Sequence, residues 1–204
     1  CSSNNKVIYD SREIYSELEA HLTKPLYRWF WKKYENHYLK FLKDVIVTAD
    51  SDAVFLHNLY SFNNLSFYTI CNYPKYQQYI KTNLLREKFN ISENQTIILY
   101  QGVIQSGRGI SRLIQTINNS PKFSGVIIGN GVMKNKYINE VRKNNLESRI
   151  FFMDAVPYND LFQYTASADI GWLVINKGSI SNKLALPNKL FEYILMGVPV
   201  ISSN

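Results

Sequence analysis

Cysteine is scarce in this 204-residue chain, with only Cys1 and Cys71. Two thiols form neither a disulfide framework nor a metal-ligand spacing, so a reducing, cytoplasmic compartment is expected. Histidine is nearly as rare, at His21, His37 and His57. No cluster of His and carboxylates is recognised as a divalent-metal site, and none is expected. The sequence shows no signal peptide, and no apolar run reaches the length that spans a bilayer.

What is present is ample core material, 46% hydrophobic and 14% aromatic, enough for one large or two small domains. The net charge of +7 favours anionic partners: nucleic acid, phosphorylated substrates or an anionic membrane surface. Charge alone does not choose among them. The chain opens on Cys1 rather than Met and stops at Asn204 directly after a strand pattern, so a piece cut at both ends is expected. With three strands before residue 75, such a piece would expose a sheet edge and, expressed alone, be poorly soluble and inactive.

The densest signals lie between Leu186 and Ser202. Pro187 fixes the backbone where a helix starts, Gly197 stands where a left-handed C-cap is wanted, and Val198–Ile201 reads as a buried strand. Leu190 with Ile194, and Phe191 with Leu195, are spaced to form one apolar stripe, with Asn188 and Glu192 on the opposite side. A carboxylate one turn below a Pro-Asn-Lys N-terminus suits a ligand with an anionic end and a diol, such as a nucleoside diphosphate.

Earlier in the chain, residues 6–9 read as a strand, with Asp10 or Ser11 capping a helix from Arg12. A helix from Pro25 to Leu42 interleaves Tyr27, Trp29, Phe30, Trp31, Tyr34 and Tyr38 with Arg28, Lys32, Lys33 and Lys40. Either its aromatics pack on a sheet, or it lies on an anionic bilayer. Strands follow at 44–49 and 66–71 around a helix at 52–60, and 75–95 reads as a polar, partly helical connector.

From residue 96 the pattern is cleaner. Strands at 96–101, 125–128, 150–153, 169–174 and 198–201 alternate with helices at 110–118, 135–144, 159–166 and from 188, which implies a parallel, doubly wound sheet. Such sheets bind ligands beyond their strand C-termini. There Gly102, Gly107 and Gly109 let the backbone approach a ligand, and Arg108 is a bidentate phosphate binder. Gly129 and Gly131 read as mainly structural. Residues 176–186 read as a polar, flexible loop of the kind that closes over a ligand.

The run Pro187-Asn188-Lys189-Leu190-Phe191-Glu192-Tyr193, followed by Gly197-Val198-Pro199-Val200-Ile201, resembles the donor-site segment of glycosyltransferase family 4. The loop Gln101–Ile110 and the Gly129-Asn130-Gly131 turn strengthen the resemblance. It implies an α/β chain of two Rossmann-like domains of GT-B type, the first incomplete at its N-terminus and the second at its C-terminus. The expected division is 1–74 for the acceptor-side domain, 75–95 for a connector and 96–204 for the donor domain.

The resemblance implies a retaining, metal-independent hexosyl transfer from a nucleotide-diphosphate sugar to a glycan or lipid-linked acceptor, in cell-envelope or exopolysaccharide synthesis. No other cofactor is implied, and an anionic membrane surface at the inner face of the membrane is a further candidate partner. Arg108 and Lys189 would carry the catalysis; Gly102, Gly107, Gly109, Val156, Pro187, Asn188 and Glu192 would bind the donor; Arg12 and Glu13 would lie on the acceptor side.

Three positions depart from the family pattern: Arg12 replaces a His, Val103 an Arg, and Leu184 a Glu. Lys177, Lys183 and Lys189 are the candidates to supply the missing positive charge. Asp154 stands in place of a Gly in the loop expected against the nucleobase. The competing readings are a nucleotide-sugar epimerase of the same fold and a non-catalytic nucleotide-sugar binding protein. A nucleic-acid partner is not expected, because no motif accompanies the charge.

Overall fold

The computed structural model describes residues 6–62, 64–76, 78, 80–176 and 178–203. Cys1 and Lys177 lie outside the described residues. The chain divides into two compact units, Cys1–Tyr73 with Lys177–Leu186, and Pro74–Asn176 with Pro187–Asn204.

In the first unit, β1 (Ile8–Ser11) leads through a 3-10 turn (Tyr15–Glu17) and α1 (Glu19–Leu22) to α2 (Pro25–Leu39). Then come β2 (Asp44–Val47), α3 (Asp50–Tyr60) and β3 (Ser66–Thr69). The three strands are parallel in the order β1-β2-β3. No helix starts at Arg12: Ser11 belongs to β1, and its hydroxyl donates to the Glu13 carbonyl instead of capping. The expected cap fails because the strand runs two residues further than the apolar run.

α2 turns its polar residues inward. Buried Glu35 accepts from Tyr9 Oη at 2.7 Å and Tyr60 Oη at 2.6 Å. Glu17, also buried, is paired with Lys32 at 2.6 Å and with Arg28. The aromatics do not pack on the sheet: Trp29 is 61% and Phe30 51% exposed, with Tyr34, Tyr38 and Phe41 open as well.

The second unit begins with α4 (Leu84–Phe89), followed by β4 (Thr96–Gln101), α5 (Ile110–Asn118), β5 (Phe123–Ile128), α6 (Lys134–Lys143), β6 (Ile150–Met153), α7 (Tyr158–Ala166) and β7 (Ile170–Leu173). The chain then crosses to α8 (Ile180–Leu184), which packs with the first unit, and returns for α9 (Asn188–Leu195) and β8 (Val200–Ser202). The expected loop at 176–186 is therefore partly helical. Ser179 Oγ caps α8 by accepting from Asn182 N at 3.0 Å, while Leu184 joins the core of the first unit.

Residues 75–95, expected as a polar, partly helical connector, include α4, which is bolted to the second sheet. Arg86 donates to Asp169 Oδ2 at 2.7 Å and to the Ser92 and Gln95 carbonyls, and Leu85 is wholly buried.

The second sheet is parallel throughout, in the order β6-β5-β4-β7-β8. Strands covered on both faces need apolar residues at every position, and β4 shows why the layers separate. Ile98 and Tyr100 face α5 and α6, while Ile97 and Leu99 face α7 and α9. α5 buries Ile110, Leu113, Ile114 and Ile117 completely, a spacing of one helical face, at about 1.5–3 kcal/mol for each side chain taken from water.

On the other layer Tyr193 lies flat on Gly171, and a Cβ there would fall 2.6 Å from the ring. The Tyr193 hydroxyl reaches through to the Leu99 carbonyl at 2.9 Å. We expect Gly171→Ala to destabilise this unit by about 1–3 kcal/mol through overpacking, read as a fall in the urea midpoint; an unchanged midpoint would mean that α9 is not seated as described.

Candidate functional site

Strand order makes a crevice before any side chain is considered. From β4 the chain moves through α5 and α6 toward β6 on one face; from β7 it moves through α9 toward β8 on the other. The loops leaving β4 and β7 part beyond the strand ends, which is where doubly wound sheets open.

Backbone touches backbone on the floor of this crevice. Gly102 N donates to the Ile128 carbonyl, and Ile104 N to that of Asn130, both at 2.9 Å. A Cβ on Gly129 would stand 2.0 Å from Gly102 O, and one on Gly131 2.2 Å from Ile104 O. Gly102, Gly107 and Gly109 have φ of +120°, +80° and +68°, a region that other residues rarely adopt. The buried Tyr100 hydroxyl, held neutral by a pKa pushed up to about 12, ties the loop down through the Val103 carbonyl at 2.6 Å.

Two cations meet at the rim. With its amide set carbonyl-first, Gln105 accepts from Arg108 Nε at 3.1 Å and Nη2 at 3.0 Å. Lys189 Nζ lies 4.3 Å from the centre of the Tyr100 ring, beside Gly102, a cation–π contact. Neither cation is paired with a carboxylate among the described residues. Burial pulls the Lys189 ammonium down to about 8; Arg108 pushes the same way, and Glu192 opposes.

Glu192 is 6% exposed and accepts from Gln101 Nε2 at 2.6 Å. Gln101 Oε1 lies 2.8 Å from Thr165 Oγ1. Burial raises the Glu192 carboxyl above the usual range, against hydrogen bonds from Gln101 and Tyr158 and the charge on Lys189.

The structure thus brings together Gly102, Arg108, Lys189 and Glu192, with Gly107 and Gly109 flanking Arg108. Pro187 sits at the N-cap of α9 and Asn188 opens it, with no side chain capping that end among the described residues. Val156 is half-buried against the α7–α9 core. Asp154 is engaged by Lys134 at 2.6 Å. Arg12 and Glu13 are exposed at the end of β1 in the other unit, where Arg12 pairs with Asp10. Lys183 lies on α8, also outside the second unit.

The expected stripe on α9 requires correction. Ile194 is 60% exposed, and the inward face is Glu192, Tyr193 and Met196. A carboxylate faces in because Gln101 is there to meet it. Gln101, Thr165, Tyr100 and Tyr158 were not singled out by sequence. The signal for Gln101 was available: it continues the 97, 99, 101 alternation into a buried layer.

The sequence profile of the family described as glycosyl transferases group 1 matches residues 81–204, more than half of the chain. The chain belongs to the group 1 glycosyl transferases. The O-antigen biosynthesis glycosyltransferase WclY of Escherichia coli is 28% identical over 119 residues, 58% of this chain and 31% of that protein. The chain thus spans about a third of the length of the curated relative.

HepE of Anabaena, solved with UDP, superposes with a TM-score of 0.74 at 16% identity, covering 97% of this chain and 53% of HepE. WaaG, a glycosyltransferase involved in lipopolysaccharide biosynthesis, gives 0.66 at 20% identity, covering 96% and 55%. The fold of this group 1 member is accordingly of GT-B type, with two Rossmann-like units.

Lys189 yields a direct prediction. Its folded pKa of about 8 lies below the ordinary 10.5, so the unfolded chain holds more protons between those values and the charged form costs stability below them. That cost disappears as pH rises from 8 to 10.5, and an anion that needs the charge binds less well over the same window. Sulfate, whose charge is constant there, should raise the melting temperature more at pH 7 than at pH 9.5. Lys189→Met should abolish that difference, whereas a pH-independent sulfate effect in the wild type would contradict the assignment.

Proposed function

We propose that this chain carries the donor site of an enzyme that moves a glycosyl group from a nucleotide-diphosphate sugar to an acceptor hydroxyl, with retention and without a metal ion. The observation that carries the reading is the convergence of Arg108 and Lys189, two cations without a carboxylate partner among the described residues, on a glycine-floored rim. Buried Glu192 stands one turn along the same helix as Lys189. A diphosphate meets the first pair, and a ribose diol meets the carboxylate.

Departure of the nucleoside diphosphate puts charge on the β-phosphate. Arg108, Lys189 and the N-termini of α5 and α9, which no side chain caps among the described residues, stabilise it where it develops. As the carbon–oxygen bond to phosphate breaks, the acceptor oxygen attacks from the same face. The leaving phosphate takes the acceptor's proton, so no protein nucleophile is required. Positive charge that a divalent cation would supply comes from the two side chains. The family resemblance puts Arg12 and Glu13 on the acceptor side.

WclY and WaaG belong by name to O-antigen and lipopolysaccharide synthesis, which supports a glycan acceptor in the cell envelope. The exposed aromatics of α2, interleaved with exposed Lys33 and Lys40, support contact with an anionic membrane surface. Among the described residues no helix is long and apolar enough to cross a membrane.

Full-length protein incubated with its nucleotide sugar should release free nucleoside diphosphate only when acceptor is added. An epimerase would convert the sugar without release, and a binding protein would do neither; either result would overturn the transferase reading. Arg108→Ala should weaken nucleoside diphosphate binding by about ten- to a hundredfold, the weight of charge-assisted hydrogen bonds, measured by calorimetry.

A further inference from the structure

β4 ends with an amide on an otherwise apolar face. The alternation that sends Ile97 and Leu99 toward α7 and α9 sends Gln101 the same way, and it is 1% exposed. A buried amide must satisfy both its oxygen and its NH2 group. Gln101 does so in a line that crosses three elements, from Thr165 on α7 through β4 to Glu192 on α9.

The single hydroxyl hydrogen of Thr165 decides which way the amide faces. Thr165 Oγ1 lies 2.8 Å from Gln101 Oε1 and 2.9 Å from the Leu161 carbonyl, and it donates to one at a time. Given to Gln101, the hydrogen leaves Nε2 to donate to Glu192, a bond that is stronger to an ionised carboxylate than to a neutral carboxyl. Given to Leu161, it lets the amide turn over, so that Nε2 donates to Thr165 and Oε1 accepts from a protonated Glu192. The first arrangement is the one the structure shows, to the single oxygen Oε2, and it favours the ionised carboxylate.

We infer that Gln101, backed by Thr165, is a positioning residue that sets ligand specificity: it clamps one oxygen of Glu192 so that the other accepts from the vicinal diol of a ribonucleotide. This rests on the nucleotide-sugar reading above. The other groups that face Glu192 are Tyr158 from α7 and Lys189 and Tyr193 on its own helix. Tyr158 and Lys189 also favour the ionised carboxylate. Without the amide, burial drives Glu192 toward its protonated form, which must donate as well as accept and no longer grips a diol as a pure acceptor.

The experiment uses full-length wild type, Gln101→Met, Thr165→Val and Thr165→Ser. Each is titrated with the tightest binder among UDP, GDP, ADP and CDP, and with the 2′,3′-dideoxy form of that ligand. Gln101→Met should weaken the ribonucleotide about tenfold, the weight of one hydrogen bond to a charged group, and leave the dideoxy ligand unchanged. The pH below which ribonucleotide binding fails should move upward, and Thr165→Ser should behave as wild type.

Equal losses for both ligands would reduce Gln101 to a structural residue, and no loss would remove it from the site; either result overturns the inference while the donor-site reading stands. A wild type that binds no diphosphate, or that binds ribo and dideoxy forms alike, overturns both. Should Gln101→Met not fold, Thr165→Val, which keeps the side-chain shape and removes only the hydroxyl, carries the same test.

Discussion

Two cations border the glycine-floored rim at the end of β4, Lys189 beside Gly102 and Arg108 between Gly107 and Gly109, and neither has a carboxylate partner among the described residues. Lys189 is drawn off its ordinary pKa both by burial and by Arg108. Side chains this flexible would swing apart in water. They stay because each is held from behind: Arg108 by the left-handed glycines on either side and the Gln105 carbonyl, Lys189 by the face of Tyr100 and by the seating of its helix. A polyanion bound at this rim would meet both charges, so binding would strengthen as the ligand's own charge does.

The seating of α9 links this rim to the core. Tyr193, one residue beyond Glu192, lies on Gly171 of β7 and reaches the Leu99 carbonyl of β4. The helix that presents Lys189 and Glu192 is therefore keyed to the two strands between which the crevice opens. Gly109 completes the arrangement from the other side: a Cβ on it would lie 2.6 Å from that of Val174, so the start of α5 sits directly against the chain leaving β7. Close approach at Gly102, Gly109, Gly129 and Gly171 leaves the rim little freedom, and preorganised donors are the ones that count for a developing charge.

Much of this was legible in the residues. The strand Thr96–Gln101 and the helix Ile110–Asn118 were bounded correctly because doubly buried strands and one-sided helices leave unambiguous periods. Where expectation and structure part, tertiary partners had overridden local pattern. The stripe on α9 was read from hydrophobicity alone, yet Ile194 faces outward because a buried amide on β4 draws Glu192 in. Residues 176–186 looked like a loop by composition, but Ser179 caps a short helix whose Leu184 finds a core. What no local pattern in 75–95 could show is that Arg86 meets Asp169, 83 positions later in the chain.

The proposed function depends on one nucleotide spanning the two cations and the buried carboxylate. A crystal structure of the full-length protein soaked with a nucleoside diphosphate tests that most directly. Phosphate oxygens within hydrogen-bond distance of both Arg108 and Lys189, with ribose hydroxyls on Glu192, is the outcome the fold predicts. A ligand bound elsewhere, or a nucleotide whose ribose points away from Glu192, would contradict it.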